Sequence, residues 1–222
     1  MSLGNDHTAT IMPSGSDGVA EVGPIGEVDG RTMRRHRNRD AVIRALIDLI
    51  REGDLDPTVA KIAERAQVSH RSIFRYFDDL ADLARTALET EMLESLPEAM
   101  VSDVGRGTLD ERIDRMVDVR LRVLAKTDHL LRVARAKALV IPELDEGITM
   151  LAELQRDQIR QHFAAELEEI RAAGRNADAI AVSVAVALSY DAWDQMHRFD
   201  GLSLPEIRDV WTTSICALLR TD

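Results

Sequence analysis

The apolar residues of this chain recur with the period of an α-helix from about residue 38 to the C-terminal end. Between Asn38 and Glu52 they fall at i, i+1, i+4, i+5 and i+8, which predicts one amphipathic helix. Its buried stripe consists of Val42, Ile43, Leu46, Ile47 and Ile50. Gly53 follows as a typical stop signal. Strand-like alternation with hairpin turns is not found in the sequence, so the pattern predicts an all-α fold.

Two short helices and one longer helix follow. Thr58 and Ser69 are good N-cap residues for the short helices, and Asp78 or Asp79 caps the longer one, which we expect to end at Pro97. Their expected inward residues are Ile62, Ala63 and Ala66, then Ile73 and Phe77, then Leu80, Leu83, Ala84, Leu88 and Met92.

Beyond Gly107 the same period predicts five longer helices. We place them near Thr108–Lys126, His129–Val140, Pro142–Ala173, Asn176–Phe199 and Ser203–Arg220. The last begins with a capping box, Ser203-x-x-Glu206, and with Pro205 in its first turn.

The net charge of −11 is distributed unevenly along the 222 residues. Residues 1–30 hold five acids, no Lys or Arg, and six of the twelve glycines, which predicts a disordered tail. Residues 31–85 hold twelve Lys and Arg against nine Asp and Glu, and five arginines lie within residues 31–39. Residues 86–222 are acidic again. We therefore expect a tail, a basic N-terminal domain and an acidic C-terminal domain with these boundaries.

Several classes of protein are disfavoured by the composition. Cys216 is the single cysteine, and His129, His162 and His197 are not spaced as metal ligands, so we predict no metal site and no cofactor. The sequence predicts neither a membrane-spanning segment nor a secretory signal, and we expect a cytoplasmic protein.

Residues 59–78, VAKIAERAQVSHRSIFRYFD, have the pattern of a helix-turn-helix. Ala63 is the small residue where the two helices touch, and Gln67-Val68-Ser69 forms the turn between them. The outward positions of the second helix are His70, Arg71, Ser72 and Arg75. All four are able to donate hydrogen bonds and none is acidic, as a helix in the major groove of DNA requires.

Residues 38 to about 85, with the Tyr76-Phe77 pair and the following Asp-Asp-Leu-Ala-Asp-Leu83, resemble the DNA-binding domain of the TetR family of transcriptional regulators. The resemblance implies an N-terminal three-helix helix-turn-helix domain and a C-terminal helical domain for ligand binding and dimerisation. It also implies a homodimer that binds double-stranded DNA at a palindromic operator, represses transcription, and is released by a small-molecule effector. No enzymatic activity is expected.

Three positions depart from the family pattern. Gln67 occupies the turn position that is usually Gly, and a left-handed backbone there costs about 1–2 kcal/mol. Phe74 lacks the hydroxyl of the Tyr that is common at this place, and Leu80 replaces a Lys beside Asp78 and Asp79. The basic arm Arg34-Arg35-His36-Arg37 is expected to compensate by reaching a neighbouring minor groove. The predicted DNA-binding residues are Arg34, Arg35, Arg37, Thr58, Ser69, His70, Arg71, Ser72, Arg75 and Tyr76.

The C-terminal domain supports less specific predictions. Its last two helices are either core helices of one domain or a four-helix interface between two copies, and we favour the interface. The ligand is not identified by any motif. The predicted ligand-binding residues lie on apolar helix faces or are polar groups that orient a ligand: Met116, Val119, Arg120, Val123, Met150, Tyr190 and Trp193. Asp191 and Asp194 are further polar candidates.

Two other functions fit the sequence. The first alternative is an architectural or partner-binding helix-turn-helix protein that has no effector. A C-terminal domain without a cavity would favour this function. The second alternative is an enzyme with a DNA-binding appendage. Residues 86–222 argue against it, because they show no nucleophile elbow, phosphate loop or metal-ligand spacing.

Overall fold

The computed structural model describes residues 30–220, and this part of the chain is almost entirely helical. The predicted tail, residues 1–30, lies outside the described residues except for Gly30. The elements are α1 (Gly30–Arg51), α2 (Val59–Arg65), α3 (His70–Tyr76), α4 (Leu80–Ala99), α5 (Leu109–Ala138), α6 (Pro142–His162), α7 (Ala164–Ala172), α8 (Ala177–Ala187), α9 (Tyr190–Asp194), a π-helical turn (Gln195–Phe199) and α10 (Leu204–Leu219). Within residues 30–220 there is no strand, which confirms the predicted all-α fold.

The first three helices share one core with residues of α4 and α5. The predicted stripe of α1 is buried throughout, and it packs against Ile62 and Ala63 of α2 and Ile73 and Phe77 at α3. Leu83 and Ala87 of α4 and Leu130 and Val133 of α5 complete this core. The apolar contacts predicted for the helix-turn-helix are confirmed.

Helix α1 begins at Gly30, about eight residues before the position that the apolar pattern predicted. The segment that we expected to be a separate basic arm is therefore the first two turns of α1. Its residues are exposed, so no apolar stripe marks it, but it contains no proline and is rich in arginine, a good helix former.

Helix α4 runs to Ala99, so the prediction that Pro97 ends it is wrong. Pro97 lies in the last turn and is exposed, as is Leu93 four residues earlier, so the carbonyl left without its helical donor lies on the solvent side. Asp79 is the N-cap, because its carboxylate accepts a hydrogen bond from the Asp82 N–H at 2.8 Å. Leu80, predicted to point inward, is 41% exposed.

Helix α5 is continuous, although the sequence predicted a break near Thr127-Asp128. Thr127 donates its hydroxyl to the Val123 carbonyl within the helix at 2.8 Å. The carboxylate of Asp128 accepts hydrogen bonds from Trp193 Nε1 at 3.1 Å and from Arg132. The polar pair that suggested a loop is therefore held by contacts within and beside the helix.

Two helices that the sequence predicted as continuous are broken, at Phe163 between α6 and α7 and at Leu188-Ser189 between α8 and α9. Each break leaves backbone carbonyls without a hydrogen-bond donor from the helix. Two arginines of α5 donate to these carbonyls instead. Arg112 Nη1 donates to the His162 carbonyl at 3.1 Å, and Arg120 Nη2 donates to the Leu188 carbonyl at 3.0 Å. These breaks depend on tertiary partners, so helical periodicity does not reveal them.

The second domain is built around Trp193 and Trp211, whose ring centroids are 6.2 Å apart. Trp193 lies on α9 and Trp211 on α10, and both helices pack against α5 and α8. The capping box predicted at Ser203 and Glu206 is present. Among the described helices, none combines the length and the apolar content that crossing a bilayer requires.

A buried polar cluster connects α5 to α6 and to the loop before α5. His162 is fully buried, and its Nε2 donates to the Arg112 carbonyl at 3.0 Å while Nδ1 accepts from the Gly105 N–H at 3.4 Å. Both ring nitrogens are therefore satisfied by the neutral imidazole. Burial lowers the pKa of His162, and the positive charges of Arg115 and Arg112 lower it further, against the hydrogen bond to Arg112 and the charge of Glu166.

The lowered pKa of His162 predicts an acid-sensitive fold. In the unfolded chain histidine has a pKa of about 6.5, so below that pH the unfolded state binds more protons and stability falls. The variant His162→Gln should be about 1–3 kcal/mol less stable at pH 7.5 and should lose less stability between pH 7.5 and 5.5. Urea unfolding at several pH values measures this, with His197→Gln, at an exposed histidine, as the control. Parallel pH profiles for wild type and His162→Gln would contradict the assignment.

Candidate functional site

Helices α2 and α3 begin at the predicted caps. Thr58 Oγ1 accepts the Lys61 N–H at 3.4 Å, and Ser69 Oγ accepts the Ser72 N–H at 3.2 Å. A capping residue of this kind contributes about 1 kcal/mol. Helix α3 is only seven residues long, so its position depends on this cap and on the core behind it.

The turn between α2 and α3 is a Schellman motif. The Val68 N–H donates to the Ala63 carbonyl at 3.0 Å, and the Gln67 N–H donates to the Glu64 carbonyl at 3.1 Å. Gln67 has φ +54°, so it adopts the left-handed conformation expected at this turn position, where the family usually has Gly. The motif normally carries Gly at this position, because Gly has no Cβ to clash.

The outer face of α3 is polar and free of acidic residues. His70, Arg71 and Arg75 are exposed, whereas Ser72 is half-buried and its hydroxyl lies 2.9 Å from that of Ser69. Phe74 is 52% exposed on the same helix. The structure therefore brings three of the four predicted outward side chains fully to the surface, and adds an apolar ring beside them.

Tyr76 connects the end of α3 with α1. Its hydroxyl accepts a hydrogen bond from Arg75 Nη2 at 2.8 Å and from Asn38 Nδ2 at 3.5 Å. Burial by itself raises the pKa of Tyr76, but the hydrogen bonds from Arg75 and Asn38 and the charges of Arg75 and Arg35 outweigh it and lower the pKa. The predicted residues on α1 and α3 thus form one positive region around this hydroxyl.

The predicted residues Arg34, Arg35 and Arg37 are exposed in the first turns of α1, and Thr58 is exposed at the start of α2. At the start of α4, the Asp82 N–H is already occupied by Asp79, and the Asp78 N–H donates to the Asp82 carboxylate at 3.2 Å. The carboxylates of Asp79 and Asp82 therefore occupy backbone N–H groups that would otherwise be able to donate to a phosphate.

A cavity of about 180 Å³ lies between α4, α5, α6 and the segment that joins α8 to α9. Its walls are mainly apolar side chains: Leu88, Met92, Leu96, Val123, Leu124, Leu130, Leu131, Ile148, Leu151 and Leu154. Polar groups reach it at only a few places, including Glu91, Ser95, Arg120, Gln155 and Tyr190. An apolar space with few polar groups is typical of a small-molecule site.

The structure brings part of the predicted ligand set to this cavity. Arg120, Val123 and Tyr190 line it, and Asp191 lies at its edge. Met116, Val119 and Trp193 are not among its lining residues and are packed in the core of the second domain. Met150 is 58% exposed and lines a separate groove between α4 and α6, while Asp194 pairs with Arg198 and is not a lining residue.

Sequence reasoning missed the inward-facing polar residues of α4. Glu91 and Ser95 lie three and seven positions after the buried Leu88, so they share its stripe. This spacing was the available signal, because a carboxylate and a hydroxyl on the apolar face of a helix need partners inside the protein.

Glu91 joins the cavity to the N-terminal domain. It is 2% exposed, and its two carboxylate oxygens accept hydrogen bonds from Arg51 Nη2, at the end of α1, at 2.8 and 2.7 Å. Arg51 Nε also donates to His129 Nε2 at 3.3 Å. The residue that forms part of the cavity wall is therefore paired directly with the first helix of the helix-turn-helix domain.

The last helices expose an apolar surface. Val182 and Val186 of α8 and Val210 of α10 are 45%, 62% and 42% exposed. Small exposed residues, Ala179, Ser183, Thr213 and Ala217, lie on the same two helices. Helices α8 and α10 pack against each other, so these residues provide a surface on a helix pair.

Comparison with known proteins agrees with this geometry. Residues 42–87 match the family model described as bacterial regulatory proteins, tetR family. No curated protein sequence matches the chain.

Solved structures resemble the chain over most of its length. A transcriptional regulator from Rhodococcus sp. Rha1 has a TM-score of 0.53 at 17% identity, covering 83% of this chain and 95% of its own. A TetR-like transcriptional regulator from Rhodococcus sp. RHA1 has a TM-score of 0.54 at 15% identity, with coverage of 85% and 97%. A TetR family transcription regulator from Marinobacter aquaeolei VT8 has a TM-score of 0.53 at 15% identity, with coverage of 83% and 97%.

The chain is therefore a helix-turn-helix protein with a helical second domain, the architecture of a DNA-binding transcriptional regulator. Residues 42–87 match the TetR family model, and the chain has the fold of solved TetR-family transcriptional regulators, in agreement with the resemblance found in its sequence.

The strained turn gives a prediction about stability. Gln67→Gly should relieve about 1–2 kcal/mol of left-handed strain, and the greater freedom of Gly in the unfolded chain offsets about 0.5–1 kcal/mol of it. We expect a net gain of about 0.5–1 kcal/mol in the free energy of unfolding, and a loss for Gln67→Val. Urea unfolding of both variants measures it, and a less stable Gln67→Gly protein would show that the side chain has a stabilising role of its own.

Proposed function

We propose that the chain is a repressor that binds a palindromic operator as a homodimer and is released from it by a small-molecule effector. The observation that carries the proposal is the outer face of α3, where His70, Arg71 and Arg75 are exposed and no acid is present. In a protein with a net charge of −11, such a face is the place where a polyanion meets least repulsion.

The DNA-binding residues have different proposed roles. His70, Arg71 and Arg75 lie on the helix that enters the major groove, where arginine binds guanine through two hydrogen bonds. Ser69, Ser72 and Tyr76 are proposed to lie in or beside the major groove, and Thr58 to contact the backbone or the minor groove. Arg34, Arg35 and Arg37 extend the positive region along the first turns of α1, and because these turns are helical they approach the backbone or the minor groove as a rigid segment.

Dimerisation is proposed to use α8 and α10. Val182, Val186 and Val210 are apolar and exposed, and small neighbours allow two helix pairs to approach closely. To bind two half-sites, the dimer must present its two copies of α3 on the same side, one helical turn of DNA (about 34–36 Å) apart, and a symmetric interface is proposed to meet this requirement. The palindromic operator follows from that symmetry.

The effector is proposed to act through α4. This helix forms a wall of the cavity and also carries Glu91 and Glu94, which pair with Arg51 and Arg44 of α1. A ligand that moves α4 therefore also moves α1 and with it the helix-turn-helix. The dimer is released from DNA if the ligand binds more tightly to the arrangement in which the separation of the two α3 helices does not match the operator half-sites.

The alternative function is an architectural or partner-binding protein that needs no effector. The cavity favours the effector-dependent function, because a purely architectural helical domain has no need of an apolar space with a few polar groups. The proposed absence of enzymatic activity follows the family, whose members are described as regulatory proteins.

Selection of duplexes from a random DNA pool with the purified protein tests the class and the symmetry together. We expect an inverted repeat. On that operator, Arg71→Ala or Arg75→Ala should weaken binding by about 1–3 kcal/mol if the residue contacts a guanine. Arg171→Ala is the matched control, because it removes one exposed arginine from α7. A pool without enrichment would reject the proposal, and unchanged affinity in both α3 variants would reject this recognition face.

The dimer interface has its own test. Val186→Glu should convert a dimer into a monomer, because symmetry brings two desolvated carboxylates together in the interface. Sedimentation velocity measures the change, and the monomer should lose affinity for the full inverted repeat more than for a single half-site. Leu139→Glu, at an 88% exposed position at the end of α5, is the control. A wild-type monomer, or a dimer that persists in both Val186→Glu and Val210→Glu, would exclude this interface.

A further inference from the structure

Arg120 places a positive charge in the wall of the apolar cavity without a carboxylate beside it. Its Nε and Nη2 donate to the Leu188 carbonyl at 3.2 and 3.0 Å, and Nη2 also donates to Gln155 Oε1 at 2.9 Å. All of these acceptors are neutral. Among the residues that the structure describes, Arg120 forms no ion pair.

The other charges at the cavity are already paired. Glu91 accepts two hydrogen bonds from Arg51, and Arg135 pairs with Asp191. Arg120 is therefore the one charged lining residue without a counter-charge in the described part of the chain. Burial lowers the pKa of Arg120 to about 10, so the guanidinium still carries its charge at neutral pH. Arg120 is partly buried in an apolar wall, where a charge without a counter-charge is costly, and a ligand of opposite charge reduces that cost.

The geometry also limits the size of the negative group. Both Nη2 protons have acceptors within the protein, in the Leu188 carbonyl and Gln155, whereas Nη1 has none among the described residues. A ligand is thus offered a single nitrogen of the guanidinium, Nη1, which suits one carboxylate better than a dianion.

A second unsatisfied group lies on another wall. Ser95 of α4 is 95% buried, its hydroxyl has no hydrogen-bond partner in the described structure, and it lines the same cavity. A buried hydroxyl without a partner is uncommon and is explained if a ligand supplies the acceptor. This observation is independent of Arg120 and also points to an acceptor group in the ligand.

We propose that the effector is an apolar monocarboxylate whose carboxylate binds Arg120 Nη1 and whose hydrocarbon part fills the cavity. The inference rests on the proposed function of this cavity as the effector site. The cavity of about 180 Å³ is close in size to an engineered one of about 150 Å³ that holds benzene, which suits a chain or ring of about six to ten carbons. An amine is disfavoured, because Arg120 repels it and Glu91 is already neutralised by Arg51.

Isothermal titration calorimetry of the full chain, without DNA, tests the ligand class. The probes are octanoate, 1-octanol and octylamine, which share a chain length and differ in charge. Octanoate should bind at least tenfold more tightly than 1-octanol, as expected for a hydrogen-bonded charged group, and octylamine should bind more weakly than both. Equal affinity for octanoate and 1-octanol, tighter binding of octylamine, or no binding of octanoate would each overturn the proposal.

Variants assign the contact to Arg120. Arg120→Met should reduce octanoate affinity at least tenfold and leave 1-octanol affinity within about twofold, and Ser95→Ala should reduce octanoate affinity a few-fold. The 1-octanol measurement is the control for a distorted cavity, since Arg120 also holds the break after α8. Because the comparison of octanoate with 1-octanol is made on the wild type, the proposal stays falsifiable even if Arg120→Met fails to fold. Full octanoate affinity in a folded Arg120→Met protein would refute the contact.

Failure of this inference differs from failure of the proposed function. If octanoate does not bind but an inverted repeat is selected, the ligand class is wrong and the regulator remains. If octanoate binds through Arg120 but does not release the operator, the ligand class is right and the proposed release is wrong.

Discussion

The rest of the structure depends on one constraint: the core of the helix-turn-helix domain and the cavity of the second domain share the side chain of Leu130 on α5. Its side chain is buried in the core of the helix-turn-helix domain, and it also lines the cavity of the second domain. Because packed interiors have little free volume, a change in one place is transmitted to the other. The DNA-facing surface and the cavity are thus built on the same α5, and the ion pair between Arg51 and Glu91 reinforces the connection.

The orientation of α3 depends on what lies behind it rather than on the helix itself. A helix of seven residues has little stability on its own, and its cap at Ser69 contributes only about 1 kcal/mol. Burial of Ile73 and Phe77 against α1 supplies the larger part, at roughly 1.5–3 kcal/mol for each side chain. The same packing sends the polar positions outward, which is how a small core defines a charged surface.

Two arginines of α5 show how polar side chains shape a helical domain. Arg112 and Arg120 each donate to a carbonyl at the break of a neighbouring helix. Arg112 also has a carboxylate partner in Glu166, whereas Arg120 has none in the described structure. The two residues have similar structural roles, but only the second leaves a charge available to a ligand.

The sequence by itself determined the helix-turn-helix, because its caps at Thr58 and Ser69, its apolar stripes and the turn at Gln67-Val68-Ser69 are local features of the sequence. It also determined the all-α class and the polar face of α3. Only the tertiary structure decided where the long helices break, why α5 continues through Asp128, and which of the predicted ligand residues meet at a cavity. Met116 and Arg120 occupy the same helix, and one turn of α5 separates a core position from a cavity position. Periodicity reports that a residue faces inward, but the helices packed around it decide whether it meets another side chain or an open space.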